Sequence, residues 1–153
     1  MEIENRMGMG IEYHKIFEYK GVRYDIEKAY FFPINFERVN PHTNYTVNGY
    51  IEVSKNSPWY KANYKDIEAI HDIEIHGGLT FSNNLKYVDE DESKWFIGFD
   101  TNHAFDDESI RTFEYVKEEC EKFIDRWRDM LLGENLSFNV QNYVFRTMKN
   151  EEV

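Results

Sequence analysis

Nine apolar residues recur at helical spacing toward the end of the chain: Ile110, Phe113, Val116, Cys120, Phe123, Ile124, Trp127, Met130 and Leu131. This stripe constrains the fold most, because a helix that is apolar along one side must bury that side against another layer. Asp106, Asp107, Glu108 and Ser109 make an acidic, cap-forming start for it, and Gly133 a natural stop.

The segments before the helix have the period of strands and supply the partner layer. "KIFEYKGVRYDIEKAY" alternates apolar and polar residues around Lys20-Gly21, which predicts a β-hairpin over residues 13 to 30. Pro33 and the stretch Asn40 to Asn44 punctuate the connection that follows. Tyr45 to Val53 is a second strand region, with Gly49 as the candidate bulge. Asn56 to Ile67 is an aromatic loop or short helical turn. In "IHDIEIHGG" the alternation predicts a strand that turns Ile73 and Ile75 to the core and His76 the other way at its end. "KWFIGFD", Lys94 to Asp100, is a continuous apolar run and an expected central strand, and Leu136 to Met148 an expected last strand. Strands followed by one long helix predict an α+β fold, an antiparallel or mixed sheet with the C-terminal helix packed on it. With 153 residues and no linker or repeat, residues 1–153 are expected to form a single domain.

Composition narrows the function. The chain carries 29 acidic and 18 basic residues, a net charge of −11, which argues against general binding of nucleic acid. No apolar run is long enough to cross a membrane, and "MEIENRMGMG" has no secretion signal. Cys120 is the only cysteine and lies on the apolar helix face, so it reads as inert packing and fits a reducing cytoplasm.

Two segments carry candidate chemistry. In His76-Gly77-Gly78, the glycines allow positive φ, and successive amides of such a turn can hold an anion, with the hydroxyls of Thr80 and Ser82 nearby. An ordinary tight turn explains the same pattern. In "GFDTNHAFDD", Asp100 ends an apolar strand and His103 follows three residues later. Histidine with carboxylates suits an acid–base pair or a divalent ion, with Asp100, His103 and Asp106 as the candidate metal ligands. Asp106 and Asp107 are more simply helix caps, and no His-Glu-x-x-His or Cys-x-x-Cys is present. If neighbouring strands carry the two segments, His76, Asp100 and His103 meet at one end of the sheet. Trp59, Tyr60 and Tyr64 offer a stacking wall or core packing, and His14, His42 and His71 have no evident partner.

The motifs "GYIEV", "SPWYKANYKDI", "IHGGLTFS", "WFIGFDTNHAFD" and "RTFEYVKEECEKF" resemble those of a family of small proteins found in phages and mobile bacterial elements. The resemblance runs from Gly49 to about Phe123. Relatives tend to have His-Pro where this chain has Ser57-Pro58, which argues against an essential ligand at position 57. No activity carries over; the resemblance implies a setting, an accessory protein acting in a bacterial host. In that setting the leading expectation is a binding protein for a small phosphate-bearing ligand, sequestering a host nucleotide defence signal through His76, Gly77, Gly78, Thr80, Ser82, Asp100 and His103. Binding without turnover needs no nucleophile or metal, and the sequence does not name a cofactor. The alternatives are a metal-assisted or histidine-based hydrolase using His76, Asp100 and His103, and an acidic protein inhibitor of a host factor. A homodimer fits a site of this kind at a subunit boundary, although no interface signature is visible.

Overall fold

A computed structural model describes residues 9–31 and 44–136. Five strands form one antiparallel sheet in the order β1-β2-β3-β5-β4: β1 Met9–Tyr19, β2 Val22–Phe31, β3 Tyr45–Val53, β4 Phe81–Asn83 and β5 Trp95–Phe99. Two helices, α1 Tyr64–Ile70 and α2 Phe113–Leu132, complete the described elements. The fold is therefore α+β, with α2 packed on β2 and β3.

The elements follow local chemistry. Lys20 and Gly21 both hold positive φ, 50° and 83°, as the tight turn between two right-twisted strands requires. Helix α2 buries Val116, Cys120, Phe123, Ile124 and Leu131 against Tyr24, Ile26, Ile51, Ile97 and Phe99 of the sheet. It stops at Gly133, whose φ is 68° and whose amide donates to Asp129 O. The Cys120 thiol is fully enclosed, and burial lifts its pKa well above the ordinary range, which suits packing rather than nucleophilic chemistry. Trp59 is also fully buried, beside Phe123 and Trp127, so it presents no face to a ligand. Tyr60 donates to Ser93 O, and Tyr64 opens α1.

Four expectations need correction. Gly49 is not a bulge: pairing runs unbroken through Ile26↔Gly49 and Gly49↔Phe99, and the irregularity lies in β1 between Ile11 and Tyr13. Gly49 is needed for close approach, since a Cβ there would lie 2.6 Å from Phe99 Cε1 and 2.8 Å from Cys120 Sγ. The 70–76 stretch is not a strand. Ile70 ends α1, whose last turn closes through His71 N–H to Ile67 O, and Phe81–Asn83 takes the sheet edge beside β5 instead. Ile73 and Ile75 still pack on the core from irregular chain, which explains their apolar spacing. Helix α2 begins at Phe113 rather than Ile110, with Thr112 as its N-cap accepting from Tyr115 N–H at 3.0 Å. Residues 107–111 form a separate turn in which Ile110 and Arg111 donate to Asp107 O, so neither Asp106 nor Asp107 caps the helix. The fourth concerns the partnerless histidines: His14 pairs with Asp25 at 2.8 Å, and His71 packs edge-on to Trp59 and Trp127. Pro33, residues 40–43 with His42, and the expected strand beyond Leu136 lie outside the described residues.

Candidate metal centre

The turn Ile75–Gly78 closes with Gly78 N–H donating to Ile75 O at 3.0 Å, while Gly77 and Gly78 hold φ of 67° and 79°. From there the chain enters the sheet, because Thr80 N–H donates to Gly98 O at 2.9 Å. That bond places the His-Gly-Gly turn beside the loop leaving β5. The loop is fixed from two sides. The Thr101 hydroxyl, fully buried, donates to Val47 O and accepts from Val47 N–H. Arg111 donates from Nε to Thr101 O and from Nη2 to Asp106 O.

The two motifs meet through Gly77. A Cβ on Gly77 would lie 2.3 Å from His103 Cε1, so the His103 ring rests directly on this glycine. His76 and His103 are 5.6 Å apart between ring centroids. Asp106 joins them: its Oδ1 is 2.9 Å from His76 Nε2, and its Oδ2 is 3.1 Å from His103 Nδ1 and 3.0 Å from the His103 amide. One ligand atom from each of His76, His103 and Asp106 fits within 4.8 Å of the others. Burial alone would raise the Asp106 pKa, but hydrogen bonds from His76 and from the His103 amide and ring outweigh it and hold the carboxyl below its usual range.

The outer nitrogen of His76 is hydrogen-bonded, and that of His103 has a carboxylate nearby. The Tyr115 hydroxyl, from the first turn of α2, is 2.8 Å from His76 Nδ1. Burial is the main reason its own pKa is raised. Asp100 Oδ1 is 3.6 Å from His103 Nε2. Asp100 is held in turn by the Thr80 hydroxyl at 3.0 Å and by the Asn102 amide at 2.9 Å. Among the expected ligands, then, His103 and Asp106 converge with His76, and Asp100 stands behind His103. Ser82 lies apart, accepting from Tyr64 N–H.

Three amides of the stretch expected to hold an anion are engaged within the fold. Gly78 N–H serves the turn, Thr80 N–H serves the sheet, and Leu79 N–H donates to Glu68 Oε2 at 3.1 Å. Glu68 belongs to α1, which runs to Ile70, beyond the loop or short helical turn expected over Asn56 to Ile67. Tyr115 and Arg111 also carried no signal, since both resemble ordinary helix-start residues. Phe105 is a further surprise. It occupies the third position of the turn His103–Asp106, closed by Asp106 N–H to His103 O, with φ 75°, and its side chain is completely exposed. A bulky residue where glycine is usual marks strain in the segment that carries two of the three converging groups. Comparisons with protein-family models, curated proteins and solved structures find no match.

Proposed function

We propose that the protein is a metal-dependent hydrolase of phosphoesters, with one divalent ion held by His76, His103 and Asp106. The observation that carries this reading is the two-sided placement of both histidines. Each turns one ring nitrogen to Asp106 and the other outward, to Tyr115 or to Asp100. Outer partners of this kind orient the ring of a metal-bound histidine and fix its tautomer. In the metal-free form, His76 Nε2–H donates to Asp106 and Nδ1 accepts from Tyr115. With a metal on Nε2, the proton sits on Nδ1 and is donated to Tyr115. His103 makes the matching exchange, from Nδ1–H toward Asp106 to Nε2–H toward Asp100. Neither change requires the rings to turn over.

Two histidines and one carboxylate suit zinc or a similar transition metal and leave coordination positions open for water and substrate. Such an ion lowers the pKa of bound water and polarises a phosphoryl oxygen. Hydrolysis then adds the water oxygen to phosphorus, breaks the ester P–O bond and returns a proton to the leaving oxygen. The carboxylates of Glu68, Asp100 and Asp106 surround this turn, so an anionic substrate reaches it most readily through a bound cation. In the phage-like setting implied by the motifs, a host nucleotide signal is the substrate class, and the protein would degrade it rather than sequester it.

The test is turnover by the full chain, stripped with chelator and reloaded with Zn²⁺ or Mn²⁺, on bis(p-nitrophenyl) phosphate and on cyclic dinucleotides. Metal-dependent product is expected, with kcat/KM at least about 100-fold lower in His76→Ala. The proposal fails if no product forms above the buffer rate with either metal, or if His76→Ala turns over like wild type.

A further inference from the structure

A groove of about 460 Å³ opens where the start of α2 meets the sheet, with Tyr13, Lys28, Tyr45, Arg111, Phe113 and Glu114 in its walls. That volume suits a small organic ligand. Three of its lining residues are aromatic. Tyr13 and Phe113 stack in parallel, with centroids 4.9 Å apart and planes 6° apart, and Tyr13 is half exposed. Tyr45 also lines the groove, with Lys28 Nζ 4.8 Å and Arg111 Cζ 5.8 Å from its ring centroid.

The charges of the groove are unequal in kind. Lys28 is within 3.4 Å of Glu12, so its charge is partly matched. Arg111 is different: its bonds go to the neutral carbonyls of Thr101 and Asp106, and it makes no ion pair among the described residues. In a chain of net charge −11, a guanidinium tied down by two carbonyls, which Asp107 feels only through space and to which no carboxylate is hydrogen-bonded among the described residues, is a preset anion site. Glu114 on the rim disfavours a diffuse polyanion and leaves the favourable position at Arg111 itself. Arg111 also touches the candidate metal centre, because its Nη2 holds the carbonyl of Asp106 at 2.7 Å.

We infer that this groove binds the ring of a phosphate-bearing aromatic ligand, of the nucleotide class, and that Arg111 holds its phosphate at the edge of the metal centre. The inference deepens the hydrolase reading and rests on it for the fate of the phosphate. The ring lies against the half-exposed Tyr13, where a flat π-system replaces water on an apolar face. The phosphate takes the unused N–H donors of Arg111, with Lys28 adding a second positive charge.

Calorimetric titration of the full chain in chelator, with the four ribonucleoside 5′-monophosphates, their nucleosides and inorganic phosphate, tests the groove without the metal. At least one monophosphate is expected to bind about 10-fold or more tightly than its nucleoside and than phosphate. Lys28→Met and Arg111→Gln should each weaken it by about 5-fold or more. Lys28→Met keeps the packing stem, so it reads charge even if Arg111→Gln disturbs the loop. The inference is overturned if no monophosphate exceeds its nucleoside and phosphate, or if Lys28→Met binds like wild type. Metal-dependent turnover with no nucleotide in the groove would leave the hydrolase reading standing and remove this one. Nucleotide binding without metal-dependent turnover would do the reverse.

Discussion

Gly77→Ala should destabilise the fold by about 2–4 kcal/mol and remove metal binding, whereas Gly78→Ala should cost about 1 kcal/mol and keep it. Both glycines hold left-handed backbone, φ 67° and 79°, so both substitutions carry a similar conformational penalty. The space around them differs. A methyl on Gly77 would lie 2.3, 2.5 and 2.8 Å from three atoms of the His103 ring. The ring cannot give way without leaving Asp106 Oδ2. A methyl on Gly78 would meet Glu68 Oε2 at 3.0 Å, the end of a side chain that can shift by a few tenths of an ångström. Urea unfolding and a metal titration of the two variants read both effects. Equal destabilisation with equal metal affinity would show that His103 does not depend on Gly77.

Asp25→Asn should stabilise the protein at pH 7 by about 1–3 kcal/mol and flatten its stability between about pH 4 and pH 7. Asp25 lies on the sheet face opposite α2, with its side chain fully buried. Its Oδ1 takes His14 Nδ1 at 2.8 Å, while Oδ2 has no hydrogen-bond partner among the described residues. Burial is the largest influence and pushes its pKa up to about 6; His14 works against this, and the charge of Glu27 adds to it. A carboxyl raised on folding favours the folded state fully below its unfolded pKa of about 4, and that advantage disappears as pH rises toward about 6. Asparagine keeps the shape and cannot ionise. Glu27 is the contrasting neighbour, since it accepts from Asn48 at 2.9 Å, from Tyr50 at 2.8 Å and from Tyr87. Chemical denaturation across pH 4 to 8 decides the matter. An unchanged or lower stability at pH 7, with the wild-type profile retained, would mean that ionised Asp25 is satisfied in the fold.

The hairpin, β3, β5 and the body of α2 were legible because each has a strong period and a chemical stop, such as Gly21 or Gly133. The segment around Ile73 and Ile75 misled because two isoleucines two residues apart can pack from irregular chain as well as from a strand. The start of α2 misled because Ile110 has the right spacing, yet it belongs to a separate turn that Asp107 opens. The juxtaposition of His76 with His103 was expected for a different reason. It comes from the start of β4 lying beside the end of β5, which the Thr80–Gly98 bond extends, and from the contact of a ring with Gly77, and not from a strand that ends at His76. The engaged amides were not legible, because Glu68 reaches Leu79 from a helix eleven positions earlier in the chain. Tyr115 and Arg111 gave no warning, since their roles depend on tertiary partners rather than on spacing.

The most direct test of the metal centre is calorimetric titration of Zn²⁺ into chelator-treated full chain near pH 7.5. One ion per chain is expected to bind saturably, to be lost in Asp106→Ala and in His103→Ala, and to weaken by about 10- to 100-fold in Tyr115→Phe. Binding should also weaken at acid pH, because an imidazolium has no lone pair for a metal. No saturable binding to wild type, or an unaltered isotherm in Asp106→Ala, would contradict a metal at His76, His103 and Asp106.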